Sequence, residues 1–351
     1  MSEDSRDRGP RRRGARWAAA ATAAVVVAGG AFWLSGGYGA WSGGPALDGA
    51  CEGHLAAGPV RSLLPGAALS ASSELRQDGW RCSVSAPGDE AGVEVRVRNA
   101  AEPFGPGVSA DPGQDAVPLG GGWTGSFSYG AGADAGRGRA VLLLDCGDES
   151  GDGLLAVADG RLADGGSFED GAARARLVSA LTDTARSYAR GTGCTTGRDP
   201  EGAVGDVAAP VVDARRPLSR AAGTCRGVVD AATARRWGAA TAAETPARPA
   251  PVERCVLGSG LGSPLYTFTA SYGPYGETAL SGRGGALPAN GAARSPSGRY
   301  RLTAKCPGAD GTGVYEIVPD DGLALDHASL RTALKAFAAA SAGLHHCRPP
   351  A

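Results

Sequence analysis

The sequence predicts an α+β chain: an N-terminal transmembrane helix followed by two similar domains, each an antiparallel sheet packed against an N-terminal and a C-terminal helix. Three observations lead there. An uncharged run follows an arginine-rich start. Eight cysteines fall into two sets of four with similar spacing. Apolar patterns of period two and period four recur at matching distances from those cysteines. At 351 residues the chain has room for two ordinary domains, taking roughly 100–200 residues for each.

Arg6, Arg8, Arg11, Arg12, Arg13 and Arg16 mark residues 1–16 as a basic cytoplasmic tail. The run Trp17 to Leu34 carries no charge over 18 residues, at the short end of what crosses a hydrocarbon core of about 30 Å at 1.5 Å per residue. Residues 17–34 are therefore expected to enter the lipid bilayer, with the arginines held inside and the rest exported. The alternative is a cleaved signal peptide and a secreted product: the run is Ala-rich, and Ser35-Gly36-Gly37 supplies small residues for a peptidase. Residues 35–50 read as a Gly-rich stalk.

All eight cysteines follow this segment: Cys51, Cys82, Cys146, Cys194, Cys225, Cys255, Cys306 and Cys347. An even count in an exported chain reads as disulfides. The first four are 31, 64 and 48 positions apart and the last four 30, 51 and 41, one pattern used twice. Neighbouring residues agree. Gly53, Leu55 and Leu63 match Gly227, Val229 and Trp237. Gly138-Arg139 and Leu142 match Gly298-Arg299 and Leu302. Gly151, Gly153, Leu154 and Val157 match Gly311, Gly313, Val314 and Ile317 without a gap, and Leu177 and Leu181 match Leu330 and Leu334. The repeats are expected at 51–194 and 225–347, joined by a linker at 195–224.

Within each repeat the spacing predicts a helix (Cys51 to Leu64, Cys225 to Ala240), then strands, then a helix. Val93, Val95 and Val97 alternate with Glu94, Arg96 and Arg98, the period of a half-exposed strand. Trp123 to Tyr129 and Leu265 to Tyr272 are aromatic and β-branched. Leu142, Leu144 and Cys146 share one strand face, as do Leu302, Ala304 and Cys306. Leu177, Leu181 and Ala185, like Leu330, Leu334 and Ala338, form the stripe of an amphipathic closing helix, with Arg174, Asp183 and Arg186 on other faces. On this reading Cys51–Cys82 and Cys225–Cys255 tie the first helix to the first strand, and Cys146–Cys194 and Cys306–Cys347 tie the closing helix to a central strand. Four cysteines allow three connectivities, and the others stay open.

Motifs for chemistry are sparse. The net charge of −1 gives no nucleic-acid signal. Cysteines in C-x-x-C spacing, a G-x-S-x-G elbow and a GKS/T phosphate loop are all missing from the sequence. His345-His346 read as helix-end residues rather than metal ligands. Asp145, Asp148, Glu149 and Asp152, with Asp310 in the second copy, read as solvated turns out of step with calcium loops. No cofactor, metal site or catalytic residue is assigned. The aromatic side chains Trp123, Phe127, Tyr129, Tyr266, Tyr272 and Tyr275 form the candidate ligand surface.

Cys51 with Leu55 and Leu63-Leu64, Trp80-Arg81-Cys82, and their counterparts around Cys225 and Cys255 give the chain its resemblance. It resembles uncharacterised actinobacterial membrane-anchored cell-envelope proteins with tandem disulfide-stapled α/β domains, departing from their lipoproteins in lacking a lipobox. The resemblance brings no functional residues with it. The expectation is an extracytoplasmic binding or interaction protein whose partner is an envelope protein or cell-wall ligand. The alternatives are an envelope hydrolase, marked by a cleft with a buried acid beside a His or Ser, or a structural spacer of an envelope assembly.

Overall fold

The computed structural model describes residues 47–350, apart from 67, 78, 106–111, 113–114, 148, 150, 195–203, 205, 211–214 and 283–285. The basic tail, the run 17–34, most of the stalk and parts of the 195–224 linker lie outside the described residues. Among the described residues no helix is long and apolar enough to cross a membrane. The expected fold is corrected accordingly: the described chain is two seven-stranded sheets with five α-helices, none of them a transmembrane helix.

The first copy opens with a short helix, α1 (Ala57–Leu63), which keeps Pro59 in its first turn, where a missing N–H costs nothing. Cys51 precedes it in a separate 3₁₀ turn, so the predicted first helix is shorter than the apolar spacing suggested. The sheet comprises β1 (Ser70–Arg76), β2 (Gly79–Ser85), β3 (Gly92–Asn99), β4 (Val117–Gly120), β5 (Trp123–Tyr129), β6 (Arg137–Asp145) and β7 (Gly153–Arg161). Their order is β1-β2-β3-β7-β6-β5-β4, antiparallel throughout. Helix α2 (Gly171–Gly191) closes the copy, capped by Asp170, whose carboxylate accepts from the Ala172 N–H at 3.0 Å.

The second copy has β8 (Arg216–Pro217), α3 (Ala231–Trp237), β9 (Thr241–Glu244), β10 (Val252–Gly258), β11 (Pro264–Ser271), α4 (Pro274–Ser281), β12 (Leu287–Pro288), β13 (Tyr300–Lys305), β14 (Thr312–Pro319) and α5 (His327–Leu344). Its order is β12-β13-β14-β11-β10-β9-β8. The path β1-β2-β3-β7-β6 of one sheet is therefore β9-β10-β11-β14-β13 of the other. The copies differ where the hairpin β4–β5 is replaced by α4 and the two-residue β12. That short strand runs parallel to β13, so the second sheet is not purely antiparallel.

Strand pairing corrects one part of the repeat alignment. Leu142 pairs with Ala156, whereas Leu302 pairs with Tyr315. With Leu142 and Leu302 equivalent, Leu155 matches Val314 and Ala158 matches Ile317. The turn after the third cysteine is thus one residue shorter in the second copy, and the ungapped match of Leu154 and Val157 slips by one. Slips of this size are hard to read where both partners are apolar, but they move each side chain to the opposite face.

Each core lies between the inner sheet face and its closing helix. Val93, Val95, Phe127, Leu142 and Leu144 meet Leu177, Leu181 and Ala185; Phe268, Tyr300, Leu302 and Ile317 meet Leu330, Leu334 and Phe337. Complete burial of one such side chain contributes about 1.5–3 kcal/mol. Arg174 departs from its expected solvent face: it is buried and donates to the carbonyls of Val207, Phe168 and Glu169.

The copies meet through equivalent turns. The Gly151 N–H, in the turn after β6, donates to the Gly308 carbonyl in the turn after β13 at 2.9 Å. The Ala309 N–H donates to Asp145 Oδ1 at 2.7 Å. Beside these bonds Ala100, Val141, Leu143 and Leu155 of the first copy belong to the second hydrophobic core. The Phe104 ring stands edge-on to Tyr275 at 4.9 Å, and its N–H donates to Thr278 Oγ1 at 2.8 Å. Gly308 has φ +55°, and a Cβ there would collide with the Asp145 carboxylate. Gly308→Ala is expected to cost about 1–3 kcal/mol and to speed hydrogen exchange at the Gly151 amide while leaving Val95 protected. Unchanged exchange at Gly151 would show that this turn does not join the copies.

Candidate functional site

The aromatic candidates do not form a surface. Trp123, Phe127, Tyr266, Tyr272 and Tyr275 are buried. Trp123 and Phe127 are in the first core, Tyr266, Tyr272 and Tyr275 in the second. Alternation along a strand marks which residues share a face, and here the aromatic face is the inner one. Tyr129 alone of the six is half-exposed and lines a cleft.

That cleft, of about 690 Å³, lies on the first sheet. Its polar lining is Ser83, Ser85, Glu94, Ser128, Arg139 and Asp159, with Arg137 and Arg161 at one end. The strand period puts Ser83, Glu94, Asp159 and Arg139 on the outer face, opposite Cys82, Val95, Ala158 and Ala140 of the core. Neighbouring strands then line up their charges in alternating sign. Arg81 lies 3.8 Å from Glu74 and 3.6 Å from Glu94; Arg96 lies 3.3 Å from Glu94 and 2.5 Å from Asp159; Arg139 lies 2.7 Å from Asp159. This ladder runs across β1, β2, β3, β7 and β6. The sequence showed its β3 part through Glu94 and Arg96. Asp159, the partner of Arg96 63 positions away, could be found only from the sheet order.

A second cluster is buried in the second copy. His345, at the C-terminal end of α5, bonds Asp310 Oδ2 through Nδ1 and Glu253 Oε1 through Nε2, both at 2.8 Å. Ser341 donates to Glu253 Oε2 at 2.6 Å, and the Tyr272 hydroxyl is 2.5 Å from Ser341 Oγ. The Tyr272 ring stacks on the imidazole at 3.6 Å. His345, read as a helix-end residue, does cap α5 but is buried there; Asp310, expected in a solvated turn, is also buried, and Glu253 was missed. A signal was present: Glu253 shares its strand face with Cys255, two positions on, where an apolar residue belongs. The first copy places Trp80 and Tyr188 at the positions of Glu253 and Ser341, with rings 5.0 Å apart.

This cluster holds a His, a Ser and two acids, yet it does not form a nucleophile–base pair. Carboxylates only accept, so both imidazole nitrogens carry protons and neither can take one from Ser341. Burial pushes the His345 pKa down, but the Asp310 charge and hydrogen bond, with those of Glu253, outweigh it and raise the value to about 9. Burial, with the Glu253 charge, raises Tyr272 well above 10. The cluster is therefore an ionic clamp. Asp310 sits in the turn that docks on the first copy, and its carbonyl accepts from the Gly273 N–H at 2.8 Å.

The cysteines join as Cys51–Cys82, Cys146–Cys194, Cys225–Cys255 and Cys306–Cys347, with none free among the described residues. Four disulfides point to an oxidising, extracytoplasmic setting. Asp145, Glu149 and Asp152 join no metal-binding group among the described residues, and Asp148 lies outside them.

The His345 clamp gives a pH signature. Its folded pKa of about 9 exceeds the ordinary 6.5, so its stabilisation is complete below pH 6.5 and is lost as pH rises through about 9. Denaturation midpoints are expected to fall across that window. His345→Gln is expected to abolish the fall and to cost about 3–5 kcal/mol by leaving two buried carboxylates unpaired. A variant with the parental pH slope would refute the assignment. Comparisons with protein-family models, curated proteins and solved structures found no match to this chain.

Proposed function

We propose that the chain is an extracytoplasmic binding protein that holds a hydroxyl-rich cell-envelope component, a wall glycan in chemical class, against the outer face of its first sheet. The observation that carries this reading is that Glu94, Asp159 and Arg139 of the paired charge ladder line a cleft of about 690 Å³, within the roughly 300–1,000 Å³ common for small-molecule sites. Its carboxylates and guanidiniums already neutralise one another. A neutral polyol can use them as fixed acceptors and donors without bringing a countercharge. Ser83, Ser85 and Ser128 add hydroxyls. The four disulfides support an oxidising setting for such a ligand.

The reading is tested by titrating the full chain with soluble wall-glycan fragments in a calorimeter. Saturable binding with little salt dependence is expected, because no net ion pair forms. Asp159→Asn should weaken it about tenfold, near the lower end of a charged hydrogen bond's contribution of about 1.5–3 kcal/mol. Thr332→Ala, on the exposed side of α5, should leave it unchanged. Equal affinity in Asp159→Asn, or no glycan binding at millimolar concentration, would reject the cleft.

A further inference from the structure

We propose a second ligand site, in the groove between the two copies, that takes a small compound bearing a carboxylate or phosphate group and is anchored by Arg254. The inference is independent of the glycan cleft and starts from the duplication. Arg254 stands one residue before Cys255, as Arg81 stands before Cys82. In the first copy Arg81 lies between two carboxylates, Glu74 at 3.8 Å and Glu94 at 3.6 Å. Strand pairing identifies their counterparts. Cys82 pairs with Ser73 and Val95, and Cys255 pairs with Glu244 and Phe268. Glu74 therefore corresponds to Thr245, and Glu94 to Thr267. The second copy keeps the guanidinium and replaces both of its partners by threonine.

Arg254 is half-buried, and among the described residues its guanidinium makes no ion pair or hydrogen bond. Its backbone is held firmly: its N–H donates to Thr245 Oγ1 at 2.9 Å, and its carbonyl accepts from Thr224 Oγ1 at 2.5 Å. The side chain lines a groove of about 390 Å³ whose other walls are Thr267 and Thr269 of the second sheet, Asp115 of the first copy, and Arg215 and Arg216 at the start of β8. Glu244 also borders the groove, but its carboxylate is occupied by the N–H groups of Ala222 and Cys225, with Arg216 Nε at 3.8 Å. Three guanidiniums thus face two carboxylates, both of them already engaged. A half-buried cation without a partner is costly, and an anion placed between Thr245 and Thr267 would restore the pairing seen at Arg81. The planar guanidinium suits two-point contact with a carboxylate or phosphate, and the threonine hydroxyls can donate to the remaining oxygens.

The test is calorimetric titration of the full chain with inorganic phosphate, with succinate, and with glycerol as an uncharged control. Saturable binding of phosphate or succinate is expected, weakening as salt is raised, and which of the two binds identifies the acidic group. Arg254→Gln should lower the affinity at least tenfold, and Arg254→Lys by less. Thr267→Glu restores the first copy's carboxylate beside the arginine. It should abolish anion binding without lowering the melting temperature, and it decides the question should Arg254→Gln fail to fold. Anion binding that survives Thr267→Glu or Arg254→Gln, or binding of neither anion, would overturn the proposal.

Discussion

The bond between each closing helix and the strand beneath it is the constraint on which the rest of this structure depends. Cys146–Cys194 and Cys306–Cys347 fix the segment just past each closing helix to the residue immediately after β6 and β13. The next residues in each case are the turns through which the copies touch. A disulfide limits the unfolded chain, contributing typically about 2–4 kcal/mol, and in Ala-rich cores this is a large share of net stability. Here it also positions a surface. A turn held only by its own backbone would be free to shift. One joined by sulfur to a long helix presents its N–H and C=O groups in a single place.

The duplication has kept the frame and altered what the frame carries. Five strands follow the same path in both copies, and the inner faces remain apolar. On the outer face the first sheet carries charges in neighbouring, mutually neutralised pairs, whereas the second pairs Arg301 with Glu316 and sets Arg254 among threonines. Inside, the first copy packs Trp80 against Tyr188 where the second holds Glu253 and Ser341. A buried ionic cluster is weak as a source of stability compared with packed rings. Its placement gives it another consequence: the Asp310 turn is gripped by His345 from within the second copy and by Asp145 through Ala309 from the first.

Much of the architecture was legible in the chain. The cysteine spacing displayed the two copies, and the Leu177 and Leu330 stripes displayed the closing helices, because both depend on short-range periodicity. Strand β1, Ser-Ala-Ser-Ser-Glu-Leu-Arg, escaped notice. It is an exposed edge with no buried face and so carries no alternation. Five of the six aromatic residues expected on a ligand surface are buried, and Tyr129 alone is half-exposed. Period two separates one strand face from the other without saying which face the helix covers.

The amino-acid sequence by itself determined the twofold repeat, its eight cysteines and the helical stripes, since each is written in spacing along one chain. Tertiary structure alone decided the charge ladder, the His345 clamp and the unpaired Arg254. These depend on which strands become neighbours, and that is set by long-range hydrogen bonding between segments tens of residues apart. Electrostatic partnership falls off with distance in space rather than along the chain, so no local pattern announces it.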